Sequence, residues 1–355
     1  MNTYIIAEAG VNHNGNLEAA KELVKEAKKA GADAVKFQTF KAVNLVTKDA
    51  KKADYQYKNT SKKDTQFEML NKLELSYDEQ LELFYLCEEI GIDFLSTAFD
   101  SESLDFLTNK IGLKTLKISS GDLTNAPLLY EFGKSQKSLI LSTGMSNIQE
   151  IQEALSILAF GLLKKVGPSE ANFKEVFKSS EAQEILKEKV SLLHCTTEYP
   201  APLDEINLQA MSVLKDKFDL NIGYSDHSDG ILVSILAASH GAKLIEKHFT
   251  LDKNLEGPDH KSSLTPDELE EMVVSIRNIE KIMGDKIKEP TKSELKNIPI
   301  ARKSIIAVKD IKEGQRFTDD NIAVKRPGTG ISPIKFWDIL DTKSKKAYKA
   351  DEMLD

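Results

Sequence analysis

The chain has 355 residues, 41% of them hydrophobic and 29% charged, which is the balance of a folded protein with room for one large domain and a smaller one. A formal charge of −8 argues against a non-specific nucleic-acid binder but leaves room for a local basic pocket. Two cysteines exclude a disulfide framework, the longest charge-free apolar stretch (Gly230–Ala242) is too short to span a bilayer, and the non-basic opening residues argue against a signal peptide. A cytoplasmic protein without nucleic-acid or membrane partners is therefore expected.

Short apolar or β-branched runs alternate with amphipathic helical patterns along the chain. The runs are Tyr4–Ala9, Ala34–Phe40, Ile92–Phe99, Thr115–Gly121, Ser138–Gly144, Val190–Thr196, Asn221–His227 and Lys243–Phe249. Leu17, Ala20, Leu23, Val24 and Ala27 recur at helical spacing after the first run. Capping boxes open helices at Ser76–Glu79 and at Thr265–Glu268, the latter with proline at the first helical position. Gly31, Gly91, Gly112 and Gly241 stand where left-handed helix caps belong.

Eight strand–helix units over about 285 residues predict an α/β protein, a (β/α)8 TIM barrel. The open-sheet alternative would want a glycine-rich phosphate turn after the first strand, and neither GxGxxG nor GxxxxGK[ST] occurs. Lys41–Leu75 reads as a long, polar, Lys-rich loop after strand two, and Gly161–Lys189 as a helical insertion before strand six. Residues 1–285 are assigned to the barrel, 286–300 to a linker and 301–355 to a small domain. That last segment carries strands at Ser304–Val308 and Asn321–Lys325. It is too short to bury much core alone and is expected to dock on something.

Barrel enzymes build their sites from the C-terminal ends of strands, and here those ends are polar. Side chains alternate with period two, so these pairs share faces: Lys36 with Gln38, Lys117 with Ser119, His194 with Thr196, Ser225 with His227, and Glu246 with His248. Glu8, Ser96, Thr97, Ser142 and Thr143 close other strands. His227 and His248 end neighbouring strands, about 4.8 Å apart, where two neutral imidazoles can share one exchangeable metal ion. Lys36, Lys117, Ser120, Ser142 and Ser225 suit a phosphate. Two other readings stand for the lysines: an ion pair of Lys36 with Glu8, and a Schiff-base role, against which the histidine pair counts. Asp259 and His260 either bind substrate hydroxyls or close a turn. Cys195 is read as a small buried residue facing away from His194, and Cys87 as helix core.

Several blocks together resemble the sialic acid synthase family: Ile6-Ala-Glu-Ala-Gly-Val-Asn-His-Asn-Gly15, Val35-Lys-Phe-Gln-Thr39, Leu141-Ser-Thr-Gly-Met145, His194-Cys-Thr-Thr-Glu-Tyr-Pro200, Gly223-Tyr-Ser-Asp-His227, Glu246-Lys-His-Phe-Thr250, Gly257-Pro-Asp-His260 and Val324-Lys-Arg-Pro-Gly-Thr-Gly-Ile-Ser332. The resemblance runs the whole length and is similarly worded in the legionaminic acid synthases. It implies a (β/α)8 barrel followed by a small antifreeze-like (SAF, β-clip) domain. The implied reaction condenses phosphoenolpyruvate with an N-acylated hexosamine and water, with a divalent metal, Mn2+ before Mg2+ or Co2+, in a domain-swapped homodimer.

Carried over by position, the resemblance makes His227 and His248 metal ligands. It puts Lys36, Asn59, Thr97, Lys117, Ser120, Ser142, Tyr199 and Ser225 on phosphoenolpyruvate, and Glu8, Gln38 and Asp259 on the sugar. Arg326 would reach the sugar's N-acyl group across the dimer. Two positions depart from many relatives: Asp122 stands where glutamate is usual, and Thr197 where asparagine is usual. Glu8, Lys36, Lys117 and Asp122 form the expected catalytic set. The rival readings are a phosphoenolpyruvate aldol synthase making a shorter keto acid, a metal hydrolase barrel, and a carbohydrate-binding protein.

Overall fold

The structure, a computed structural model, describes residues 3–60 and 63–355. The chain divides into two compact units, 1–284 and 285–355. No helix among the described residues is long and apolar enough to cross a membrane.

The first unit is a closed parallel barrel with strands in sequential order. Its strands are β1 (Tyr4–Gly10), β2 (Ala34–Thr39), β3 (Asp93–Ala98), β4 (Thr115–Ile118), β5 (Ser138–Ser142), β6 (Val190–His194), β7 (Asn221–Asp226) and β8 (Leu244–His248). The expected capping boxes form at Ser76/Glu79 and Thr265/Glu268. Each satisfies amide donors that a helix N-terminus leaves open. The four glycines expected to end helices adopt φ between 73° and 98°.

Period-two alternation sorts every strand into two faces. The outer face packs Ala7, Val35, Phe37, Leu116, Leu141, Leu192, Tyr224 and Ile245 against the helices. The inner face begins with an apolar layer of Ile6, Ala34, Leu95, Ile140 and Leu193, with Tyr4 and Leu244 against it. One step further along the strands the inner face turns polar, with Glu8, Lys36, Thr97, Lys117, Ser142, Ser225 and Glu246 all buried. The apolar layer lies beneath the polar end and fills the barrel interior there.

The segment after β2 differs from the polar loop expected for it. It carries three short helices, Ala42–Leu45, Asp54–Asn59 and Gln66–Leu73. The third opens on a Thr65/Glu68 capping box and buries Met69 and Leu73 against Val11 and Phe40. Each buried side chain there contributes about 1.5–3 kcal/mol relative to exposure. The many lysines of the segment hide this apolar stripe from a reading of composition.

The second unit contains the antiparallel pair β9 (Ser304–Ala307) and β10 (Ile322–Lys325). Its own core is Ile305, Ala307, Ile311, Phe317, Ile322, Tyr348 and Leu354.

Candidate active site

A cavity of about 490 Å3 opens at the polar end of the barrel. Every expected site residue of the barrel except Asn59 lines it: Glu8, Lys36, Gln38, Thr97, Lys117, Ser120, Asp122, Ser142, Thr197, Tyr199, Ser225, His227, His248 and Asp259. The Asn59 side-chain amide instead donates to the Pro258 carbonyl at 3.0 Å, tying the insertion to the loop after β8. Arg326 belongs to the second unit, where its Nε donates to the Ala301 carbonyl.

The floor is a network of buried charges. Lys36 Nζ lies 2.7 Å from Glu8 Oε2 and 3.6 Å from Glu246 Oε2, and donates to Thr97 Oγ1 at 2.9 Å. Lys117 Nζ donates to Ser142 Oγ at 2.7 Å and stands 3.7 Å from Glu246 Oε1. Ser225 Oγ donates to the same Glu246 oxygen at 2.8 Å. The Lys36–Glu8 ion pair and the ligand-facing position of Lys36 thus coexist in one arrangement.

Two carboxylates share two ammonium groups here, and they titrate in opposite directions. Burial raises the Glu8 carboxyl, with Glu246 adding to the rise and Lys36 only partly offsetting it. Burial also works to raise Glu246, but Lys117 and Lys36 together hold it low. Burial lowers Lys117 more than Glu246 can restore. For Lys36, burial is outweighed by Glu246 and Glu8, and the ammonium is held high. Opposed titrations in one pocket mark groups suited to proton transfer.

Glu246 is the hub of this network. It shares the inner face of β8 with His248, which is the only mark it carries in the sequence. Tyr55 is another residue that reasoning from sequence passed over. It comes from the insertion, lines the cavity, and packs on Tyr199 with ring centroids 4.9 Å apart.

His227 and His248 face the cavity from adjacent strands with ring centroids 5.6 Å apart. His227 Nδ1–H donates to the Thr196 carbonyl at 2.7 Å, which leaves Nε2 as an acceptor facing the Tyr199 hydroxyl at 3.2 Å. His248 Nδ1 is buried without a partner. Burial lowers both imidazoles, and for His248 the neighbouring His227 adds to the effect. Two neutral rings, one oriented through its far nitrogen and one with an unsatisfied nitrogen, form a donor set that fits a divalent cation completed by water or ligand oxygens. Among the described residues no group of three or more His, Cys, Asp or Glu side chains is arranged to hold a metal ion.

Several strand-end residues turn away from the cavity. On β6 the inward parity belongs to Leu193, so Cys195 faces inward and His194 outward. His194 Nε2 pairs with the Ile206 carbonyl at 2.8 Å, while Cys195 Sγ lies 3.2 Å from Ser120 Oγ. Cys195 is buried as expected, with its sulfur against Ser120, which lines the cavity. Ser96 bonds Thr39 on the outer side, and Thr143 Oγ1 donates to the Leu193 carbonyl. His260 is buried against Thr250 Oγ1, whereas Asp259 sends its carboxyl into the cavity.

Asp122 lines the rim, its carboxylate accepting from Ser119 Oγ at 2.7 Å and from the Asn125 amide at 3.3 Å. Burial raises it. Thr197 Oγ1 is buried without a partner. A Cβ on Gly144 would come within 2.3 Å of it, so this close approach of the β5 loop requires glycine.

The insertion supplies a different wall. Leu45, Val46, Met69, Leu70 and Leu73, with Phe99 and Val11, line one side of the same cavity with hydrocarbon. Cations and hydroxyl donors at the floor suit a small anion, and an apolar wall beside them suits an amphipathic second ligand. The fold and this pocket together define a barrel enzyme whose site sits at the C-terminal ends of the strands.

The family follows from comparison with known proteins. Residues 23–288 match the NeuB family and 302–354 the SAF domain, and the chain belongs to the NeuB family, that of the sialic acid synthases. The chain is 50% identical over 352 residues to the N,N'-diacetyllegionaminic acid synthase of Campylobacter jejuni, covering 99% of this chain and 98% of the relative. It is 45% identical to the synthase of the same name from Legionella pneumophila, covering 97% and 90%. A crystal structure of the N-acetylneuraminic acid synthetase of Leptospira borgpetersenii, in complex with citrate, superposes with a TM-score of 0.66 at 34% identity, covering 84% of this chain and 90% of that one.

Proposed function

We propose that this enzyme condenses phosphoenolpyruvate with 2,4-diacetamido-2,4,6-trideoxymannose and water, releasing phosphate and forming N,N'-diacetyllegionaminic acid. The observation that carries the reading is one cavity with a lysine-and-hydroxyl floor beside an apolar wall. The 50% identity to a synthase of that name supports it.

The wall bears on the sugar. A hydroxyl buried against hydrocarbon without a partner costs about 1–3 kcal/mol, whereas a methyl or acetamido methyl gains from the same contact. A sugar lacking the 6-hydroxyl and carrying a second acetamido group suits such a wall better than N-acetylmannosamine does. N-Acetylmannosamine, giving N-acetylneuraminic acid, is the second reading, favoured by the superposition on the Leptospira synthetase.

In the proposed reaction Lys36 and Lys117 balance the carboxylate and phosphate charges of phosphoenolpyruvate, and Thr97, Ser120, Ser142 and Ser225 add donors. The enol methylene carbon attacks the sugar's aldehyde carbon. Water adds to C2 of the former enol, and Glu8, whose carboxyl is raised, takes up its proton. The tetrahedral centre then expels phosphate by C–O cleavage, its hydroxyl proton leaving with the phosphate as the ketone forms, and the proton taken up by Glu8 ends on the former aldehyde oxygen, which becomes a hydroxyl. Gln38 and Asp259 orient the sugar. His227 and His248 would hold a divalent ion, Mn2+ before Mg2+ or Co2+, which when bound supplies Lewis acidity toward the sugar's carbonyl oxygen. We assign the enzyme a domain-swapped homodimer in which Arg326 of one copy serves the cavity of the other.

The test is phosphate release from phosphoenolpyruvate with each sugar, with product masses read in parallel. The reading expects a kcat/KM at least tenfold higher for the diacetamido sugar. Phosphate release with neither sugar would overturn the reaction, and preference for N-acetylmannosamine would overturn the sugar.

A further inference from the structure

On the outer face of β7 and β8, where the neighbouring positions are apolar, Asp226 and Lys247 stand directly opposite one another in register. Both are wholly buried, and Lys247 Nζ lies 3.2 Å from Asp226 Oδ2. Each is followed by one of the two site histidines, which by strand alternation point the other way, into the barrel.

The pair holds more than itself. Asp226 Oδ1 accepts from the Ser228 amide at 2.9 Å and its hydroxyl at 2.7 Å. Its Oδ2 accepts from Ser234 Oγ at 2.6 Å, on the helix that follows. Lys247 Nζ donates to the Ser228 carbonyl at 2.5 Å. The residues on both sides of His227 are therefore tied to the residue before His248. Taking two charges out of water costs stability that their mutual attraction repays only in part, so the ion pair is better explained by the segments it ties together than by stability alone.

We infer that the Asp226–Lys247 pair is a positioning device that fixes the separation of His227 and His248, so that both rings serve one divalent cation. The inference rests on the reading of those histidines as the ligand pair. Asp226 and Lys247 touch no ligand; they act through the backbone of the two residues that do. Their role is that of the groups behind metal ligands, whose loss typically costs 10–100-fold in metal affinity.

The experiment measures Mn2+ binding to the full-length protein by the electron paramagnetic resonance of free Mn2+, with melting curves in parallel. The visible spectrum of Co2+ at saturation reports ligand geometry. The double variant Asp226→Asn/Lys247→Met removes both charges, nearly keeps the volume, and leaves an amide oxygen to accept from Ser228. It is expected to stay folded and to melt within a few degrees of the wild type, yet to bind Mn2+ about 10–100-fold more weakly and to show an altered Co2+ spectrum. Ser234→Ala, a milder change that leaves the ion pair in place, is expected to weaken Mn2+ binding a few-fold and keeps the question answerable if the double variant folds poorly. His227→Ala sets the baseline. A wild-type protein with no His227-dependent Mn2+ site overturns the ligand reading and this inference with it. A His227-dependent site in the wild type, matched in affinity and Co2+ spectrum by the double variant or, should that not fold, by Ser234→Ala, overturns the positioning role alone.

Discussion

Glu8 and Lys36 are register partners on β1 and β2, and their charged ends meet at 2.7 Å at the floor of the cavity. Lys36 has a second carboxylate, Glu246, at 3.6 Å. Replacing Glu8 therefore does not strand a buried ammonium, and Glu8→Gln is expected to fold. It should bind phosphoenolpyruvate within a few-fold of the wild type by calorimetry, and lose turnover by about a hundred- to ten-thousand-fold, the range for a general acid–base group. Asp122→Asn should lose less than about tenfold, since that carboxylate is already engaged by Ser119 and Asn125. Reversed sizes would make Asp122 the proton carrier.

Asp259 makes stability depend on pH. Burial pushes its carboxyl up to about 7 from an ordinary value of 3.8. Below about pH 4 the group is neutral in both states. As the pH rises toward 7 the unfolded chain ionises while the folded one stays neutral, so folded-state stability falls across that window and levels off above it. Asp259→Asn removes the effect. The variant should melt a few degrees above the wild type at pH 8, with an upper bound of about 4 kcal/mol, and at the same temperature near pH 4. Its sugar KM should rise, because the carboxyl faces the cavity. A melting difference independent of pH would show that the carboxyl carries no such burden.

The apolar wall gives a test of sugar choice that leaves the charge network untouched. Leu70 is half-buried, on the helix that begins after Thr65, and lines the cavity. Leu70→Gln keeps a good helix former and puts an amide where hydrocarbon stood. The ratio of kcat/KM between the diacetamido sugar and N-acetylmannosamine should fall by about tenfold, with the KM for phosphoenolpyruvate unchanged. An unchanged ratio would mean that the wall packs the insertion and does not read the sugar.

How far the sequence carries depends on which residue reports the inward face. On β2, β7 and β8 a polar strand end coincides with inward parity, so Lys36, Gln38, His227 and His248 fall where alternation puts them. On β6 the parity is set by Leu193, one residue before the chemically eye-catching His194. Both faces of a barrel strand are buried, so composition alone does not say which side is inside. Glu246 was visible as a position but not as a hub, because the two lysines converge on it only once the barrel closes. The insertion after β2 hid its apolar stripe behind lysines, although Thr65 and Glu68 carried the signature of a helix start.

Assembly can be tested by complementation. Arg326 is exposed on the second unit, which also exposes Ile334 and Trp337. In a domain-swapped dimer each site combines one chain's barrel with the other's Arg326. His227→Ala and Arg326→Ala should each be nearly inactive alone. Co-expressed and allowed to pair at random, half of the dimers would hold one of each variant. In those dimers one site has an intact barrel and an intact arginine, so about a quarter of wild-type activity should return. If each chain completed its own site, every site would keep one defect and the mixture would stay inactive. Recovery that disappears when the differently tagged chains are kept in separate dimers would tie the activity to the exchanged unit.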